Sequence, residues 1–403
     1  LVNLGFLGFF KYYNFFLDNF ITAFSFFGQE INASSLNIIL PVGISFYTFQ
    51  TLSYTIDVYK RKLEPTADFI SFSAFVSFFP QLVAGPIERA TNLLPQFYKK
   101  RTFEYAQAVD GMRQILWGLF KKVVIADTCA EYANLIFNNS ADYSGSTLVL
   151  GAICFTFQIY GDFSGYSDIA IGTSRLFGFN LKQNFAFPYF SRDIAEFWRR
   201  WHISLSTWFR DYLYIPLGGS RGGTWIKVRN TFIIFIVSGF WHGANWTFIV
   251  WGALNAFYFL PLLLSNRNRN NLETIAQGNL LPSLKEVFFM LLTFGLTVFA
   301  WIFFRAENMG HALLFIQDMF RGLANKEGYI ETFNLIYWDI GYVLPFMLLV
   351  FIFMEWLGRE SQFALQNIFS RWKWPYRYIM YYAIIIAIFW FSGKEQQFIY
   401  FQF

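Results

Sequence analysis

The stretch FIIFIVSGFWHGANWTFIVW, Phe232 to Trp251, sets a histidine among residues that belong in an apolar phase. His242 is one of only three histidines in the chain. An ionisable side chain at membrane depth marks a functional path or a reaction centre, and a neutral imidazole there can take a proton from a hydroxyl nucleophile. The plainer alternative is an interhelical hydrogen bond, to Asn245 or Ser238. Gly239 and Gly243 bracket GFWHG, where a helix can distort and backbone can approach a ligand closely. Trp241 would wall such a site.

A second group of chemically capable residues lies in DIAEFWRRWHISLSTWFRDYLYIPLGGSRGG, Asp193 to Gly223. Glu196, Arg199, Arg200, Arg210 and Asp211 are interleaved with Phe197, Trp198, Trp201, Trp208 and Phe209, the pattern of an amphipathic helix at an interface or along a wet cavity. His202 is then either a snorkelling interfacial residue or a second polar group facing the reaction chamber. The LGGSRGG loop, with Arg221, Lys227 and Arg229, suits phosphates, because glycine frees backbone N–H groups and the cations neutralise charge. Most glycine-rich turns are only turns. In QIYGDFSGYSDIAIGTSRLFGF, Asp162 and Asp168 are costly at membrane depth unless paired or wet. A structural network with Arg175 or Tyr166, joining small-residue helices, accounts for them at least as well as a direct role. The histidines and the two cysteines, Cys129 and Cys154, have no metal-ligand spacing, so no metal is expected and the thiols read as buried.

The elements that must hold these residues follow from composition. Of 403 residues, 55% are hydrophobic and only 14% are charged, against about 25% in a soluble domain. The chain reads as an all-α, polytopic transmembrane bundle, one domain over 1–403, with no internal repeat or linker. Candidate spans fall near 4–27, 37–56, 69–84, 108–128, 145–172, 230–266, 287–304, 340–354 and 378–393. The clusters Lys60-Arg61-Lys62, Lys99-Lys100-Arg101, Arg267 with Arg269, and Arg371, Lys373 and Arg377 are expected on the cytoplasmic side. The segment FISFSAFVSFFPQLVAGP must then return to its own side as a re-entrant hairpin. The uncharged run from Asn230 to Asn266 would measure about 55 Å as one helix and must break. The net charge of +5 sits in short loops and suits an anionic membrane face, with no call for nucleic acid. The chain opens without methionine, and further membrane helices are expected before it.

The succession GDFSGYSDIAIG, FWRRWHISLSTWFRDYLYIPLGG and SGFWHGANWTFIVWG resembles the membrane-bound O-acyltransferase (MBOAT) family, and more narrowly its bacterial polysaccharide branch. LPVGISFYTFQTLSYTIDVY, PQLVAGPI and the terminal FIYFQF match the same branch. The resemblance implies a helical scaffold with broken helices and a central funnel. It implies that His242 is the catalytic histidine and His202 the second hallmark. It further implies a multi-pass protein of the bacterial inner membrane that carries acetyl groups from a cytoplasmic thioester, acetyl-CoA, across the lipid bilayer. The acceptor would be an extracytoplasmic polysaccharide, reached through a separate partner of serine-hydrolase type. Arg221, Lys227 and Arg229 would receive the donor's phosphates. Two other functions stay open: D-alanyl transfer to teichoic acid from a carrier-protein thioester, and a polysaccharide or lipid transporter, which commonly shows inverted repeats.

Overall fold

An apolar chain in lipid must satisfy its own backbone, and a helix does so within a single segment. The computed structural model describes residues 1–28, 31, 33–368, 372–393 and 396–399, and its regular elements are all helices. Arg371 of the expected basic loop and residues 400–403 of FIYFQF lie outside the described residues.

The N-terminal helix α1 (Val2–Leu7) widens into a π-helical turn, Gly8–Tyr12, before α2 (Tyr13–Phe26). Next come α3 (Ile44–Tyr59), α4 (Phe69–Val76) and α5 (Ala90–Tyr98). With eight residues, α4 measures about 12 Å, and turns follow it through Gly85, so the segment expected to re-enter does not continue as a spanning helix. A long rod follows: α6 (Tyr105–Leu119), a π-helical segment Phe120–Ala126, and α7 (Asp127–Asn138). It packs along α8 (Gly145–Leu176), the 32-residue centre of the molecule.

Glycine sets how closely α6 and α8 approach. A methyl group on Gly111 would lie 2.7 Å from the Gly172 carbonyl oxygen, and one on Gly172 would lie 2.5 Å from that of Gly111. Gly118 and Gly165 repeat the arrangement at 2.6 and 2.8 Å. Any side chain at these crossings would push the backbones apart. The expected small-residue packing is present, but the expected partners of the aspartates are not. Asp162 pairs with Lys122 at 2.8 Å, and Asp168 pairs with Lys121 and accepts a hydrogen bond from Gln114. Arg175 instead pairs with Asp110, because its position near the end of α8 places it beside the start of α6. Cys129 and Cys154 are free and buried.

The second half begins with α9 (Ile194–Arg200) and α10 (Ile203–Phe209), then a π-helical turn Arg210–Tyr214. The single amphipathic helix expected over this stretch is thus broken at Trp201-His202. Its charges are occupied locally: Glu196 accepts from both Arg192 and Arg200, and Arg199 donates to the carbonyls of Asn268 and Asn271. The long uncharged run does break, into α11 (Thr224–His242) and α12 (Trp246–Leu264), with Gly243–Asn245 between them. Asn245 accepts from the Thr247 amide and so caps α12, which is its role in place of the hydrogen bond to His242 that its spacing allowed. The chain finishes with α13 (Leu284–Arg305), α14 (Met309–Gly322), α15 (Lys326–Asn334), α16 (Val343–Gly358) and α17 (Trp374–Phe391). Among the described residues, α8, α12 and α13 are each long and apolar enough to cross a membrane. The pair Lys326–Ile340 and Val343–Gly358, bent by 91°, qualifies together.

Candidate active site

His242 is the last residue of α11, and the chain leaves the helix there because Gly243 takes an extended conformation. The imidazole is 6% exposed and stands in an aromatic box. Its ring centroid lies 5.0 Å from Trp241, 5.3 Å from Trp251 and 5.2 Å from Phe304. These rings come from the end of α11, the second turn of α12 and the end of α13. Two cavities meet at this corner. The smaller, about 160 Å³, is lined by His242, Trp241, Lys11, Phe46 and Val83 together with the chain from Leu40 to Ser45. The larger, about 460 Å³, is bordered by Gly243, Asn245, Phe304, Arg305 and Glu307. Lys11 and Leu40 line both.

His202 is 1% exposed, which overturns its reading as a snorkelling residue and leaves the reading as a polar group turned inward. It sits at the break between α9 and α10 with φ of 44°, a left-handed conformation uncommon outside glycine. Asn184, fully buried, is what holds it. The Asn184 Oδ1 accepts from His202 Nδ1 at 3.1 Å and from the Ser204 hydroxyl at 2.9 Å, while the Asn184 carbonyl accepts from the Ile203 amide. With the amide oxygen as acceptor, Nδ1 carries the hydrogen and Nε2 keeps its lone pair. That Nε2 is buried with no hydrogen-bond partner among the described residues, as are the indole nitrogens of Trp241 and Trp251. Buried polar atoms are ordinarily paired, and unpaired ones gathered at one place suit a site that receives a polar group.

Trp241 joins the two histidines. Its indole centroid is 6.2 Å from His202 and 5.0 Å from His242, and Phe49 packs on it at 5.4 Å. Trp208 of α10 stacks on Phe49 at 3.9 Å, which locks the broken segment to the end of α11. The two sequence-derived histidines are therefore brought to one corner. The three cations are not: Arg229 lies thirteen positions before His242 on the same helix, about 20 Å away, and none of the three lines either cavity. Arg221 is exposed, whereas Arg229 donates to the Leu217 carbonyl and to Asn230 and so secures the glycine loop. Sequence reading missed Lys11, Tyr12 and Asn184. Only Lys11 carried a signal, as a single cation within an apolar N-terminal run.

This arrangement, a buried histidine at a broken helix end between two cavities of an apolar bundle, is what a membrane acyltransferase needs, and the chain belongs to the membrane-bound O-acyltransferase family, which matches residues 60–303. Among its relatives is the probable alginate O-acetylase AlgI of Pseudomonas aeruginosa, 41% identical over 87% of this chain and 65% of that protein. The peptidoglycan O-acetyltransferase of Helicobacter pylori is 39% identical over 79% of this chain and 63% of its own length. The teichoic acid D-alanyltransferase of Bacillus subtilis is more distant, at 31% identity over 55% and 58%. The chain spans 58–65% of the length of these curated relatives.

Proposed function

We propose that the protein is an O-acetyltransferase that moves acetyl groups from cytoplasmic acetyl-CoA through the bilayer toward hydroxyls of an extracytoplasmic polysaccharide such as alginate. A serine-hydrolase-type partner outside the membrane completes the transfer. The observation that carries this reading is His242 at the broken end of α11, lining one cavity and adjoining another. In the reaction, the imidazole takes the proton of the acceptor hydroxyl, the oxygen attacks the thioester carbonyl, and the C–S bond breaks. The thiolate leaves with the proton. The aromatic box excludes water that would hydrolyse the thioester. D-alanyl transfer from a carrier-protein thioester is the second reading, supported by the likeness to the teichoic acid enzyme. A transporter is disfavoured, because the family match is to acyltransferases.

Purified protein in proteoliposomes, offered isotopically labelled acetyl-CoA or a D-alanyl carrier protein in turn, distinguishes the first two readings. Transfer of label from acetyl-CoA is expected. Transfer from the carrier protein alone would replace the proposal with its rival.

Within this reading, Arg221 and Lys227 attract the donor's phosphates at the membrane mouth while the pantetheine arm carries the thioester inward. Arg229 is left intact in the test because it secures the loop. Arg221→Gln with Lys227→Gln is expected to raise the acetyl-CoA KM by up to about thirtyfold at low salt, since solvent-accessible charge contacts contribute at most about 1 kcal/mol each. The effect should shrink at high salt, with kcat nearly unchanged. A KM equal to the parent's at every ionic strength would reduce the loop to a turn.

For His202, held through Nδ1 by Asn184, alanine is expected to lower kcat about ten- to a hundredfold, short of the loss expected at His242. Complete loss with unchanged donor binding would make His202 a direct participant in the proton transfer.

A further inference from the structure

The last carbonyls of an α-helix have no partner within it, and in a low-dielectric interior each must find one elsewhere. At the end of α11, three successive carbonyls are taken up by two neighbouring side chains from the other end of the sequence. The Tyr12 hydroxyl donates to the Phe240 carbonyl at 3.0 Å. Lys11 Nζ donates to the Trp241 carbonyl at 2.9 Å and to the His242 carbonyl at 2.8 Å. Both side chains belong to the π-helical turn Gly8–Tyr12, a wider turn of the kind often found at functional sites. The Tyr12 ring also stacks on Phe240, with centroids 4.3 Å apart. A cation at this end of a helix is favoured further by the partial negative charge of the aligned peptide dipoles.

We propose that Lys11 is a positioning residue for the reaction at His242: its ammonium clamps the terminal turn of α11 and thereby fixes where the imidazole stands between the two cavities. The inference rests on His242 being the base. The extended Gly243 ends the helix and itself offers no side chain to hold His242, so the clamp fixes the position of that last turn. Lys11 lines both cavities and is therefore placed where a shift of the helix end would change the passage between them. Misplacing a reacting group by about 1 Å can cost about a hundredfold in rate.

Lys11→Met keeps the aliphatic stem and removes the donors, whereas Lys11→Arg restores a cation. In detergent-purified protein, Lys11→Met is expected to lower kcat about thirty- to a hundredfold with the acetyl-CoA KM unchanged, and Lys11→Arg to recover part of that loss. Hydrogen exchange of amides in 239–246 should quicken in Lys11→Met while those of α8 keep the parent's rate. Parent-like kcat in Lys11→Met, or lost activity with unchanged exchange at 239–246, would overturn the clamp. If Lys11→Met does not fold, Lys11→Gln, which retains a donor for one carbonyl, decides by the same two readouts. His242→Gln is measured alongside. Full activity in His242→Gln with quickened exchange in Lys11→Met would overturn the base assignment and leave the clamp standing.

Discussion

His242→Ala is expected to abolish measurable acetyl transfer while the protein still inserts and folds. A positioned general base contributes about a hundred- to ten-thousandfold, and His242 is the imidazole enclosed by Trp241, Trp251 and Phe304. Truncating the ring leaves a void among those side chains, which lowers stability by about 1–3 kcal/mol and therefore shifts the melting temperature without preventing assembly. The measurement is label transfer from acetyl-CoA in proteoliposomes, paired with a thermal melt of the same preparation. His242→Gln, which fills more of the space, should melt closer to the parent and remain inactive. Near-normal transfer by a well-folded His242→Ala would remove the histidine from the chemistry.

The second large effect concerns stability. Lys122 sits between Asp127 and Asp162, 2.8 Å from each, and Asp162 also accepts the Ile399 amide. Lys122→Met leaves two poorly solvated carboxylates without their cation, and breaking a buried pair from one side costs about 3–5 kcal/mol. A marked loss of folded yield and of melting temperature is expected. Adding Asp127→Asn and Asp162→Asn to Lys122→Met should recover most of the loss, because the penalty comes from the uncompensated charges and not from the missing lysine. An unchanged melting temperature in the single variant would mean that water reaches the cluster freely.

Much of this architecture was legible because membrane composition constrains it severely. The run from Asn230 to Asn266 was too long for one helix, and its glycines marked the break that ends α11 at His242. The glycines of GDFSGYSDIAIG announced a close helix crossing, which α6 completes with Gly111 and Gly118. What could not be read were partners distant in sequence. Asp162 and Asp168 needed partners or water, but the partners expected nearby in sequence, Arg175 or Tyr166, are not the ones used, since Lys121 and Lys122 reach the carboxylates from a neighbouring helix. For His202 the sequence left two readings open, and the inward one holds because the surrounding arginines are bound to Glu196 and to loop carbonyls while the imidazole turns onto Asn184. Lys11 gives no hint in sequence that its target is a pair of carbonyls more than two hundred residues away. Periodicity reports a helix's own faces, not what docks on its end.

The lysine pair of the π-helical segment also constrains how the protein is made. Ribosomes deliver Lys121 and Lys122 before α8 exists, and a lysine left at the centre of a lone inserted helix costs about 2.5–3.5 kcal/mol. Asp127, five residues further on, gives Lys122 an early counter-charge. Lys121 must wait for Asp168, near the far end of α8. Until that residue emerges, the rod of α6 and α7 is a poor tenant of the lipid and is best sheltered by the insertion machinery. Joint insertion of the rod with α8 is therefore expected, and nascent chains cut before and after Asp168 should differ in how stably the Lys121 segment integrates into the membrane.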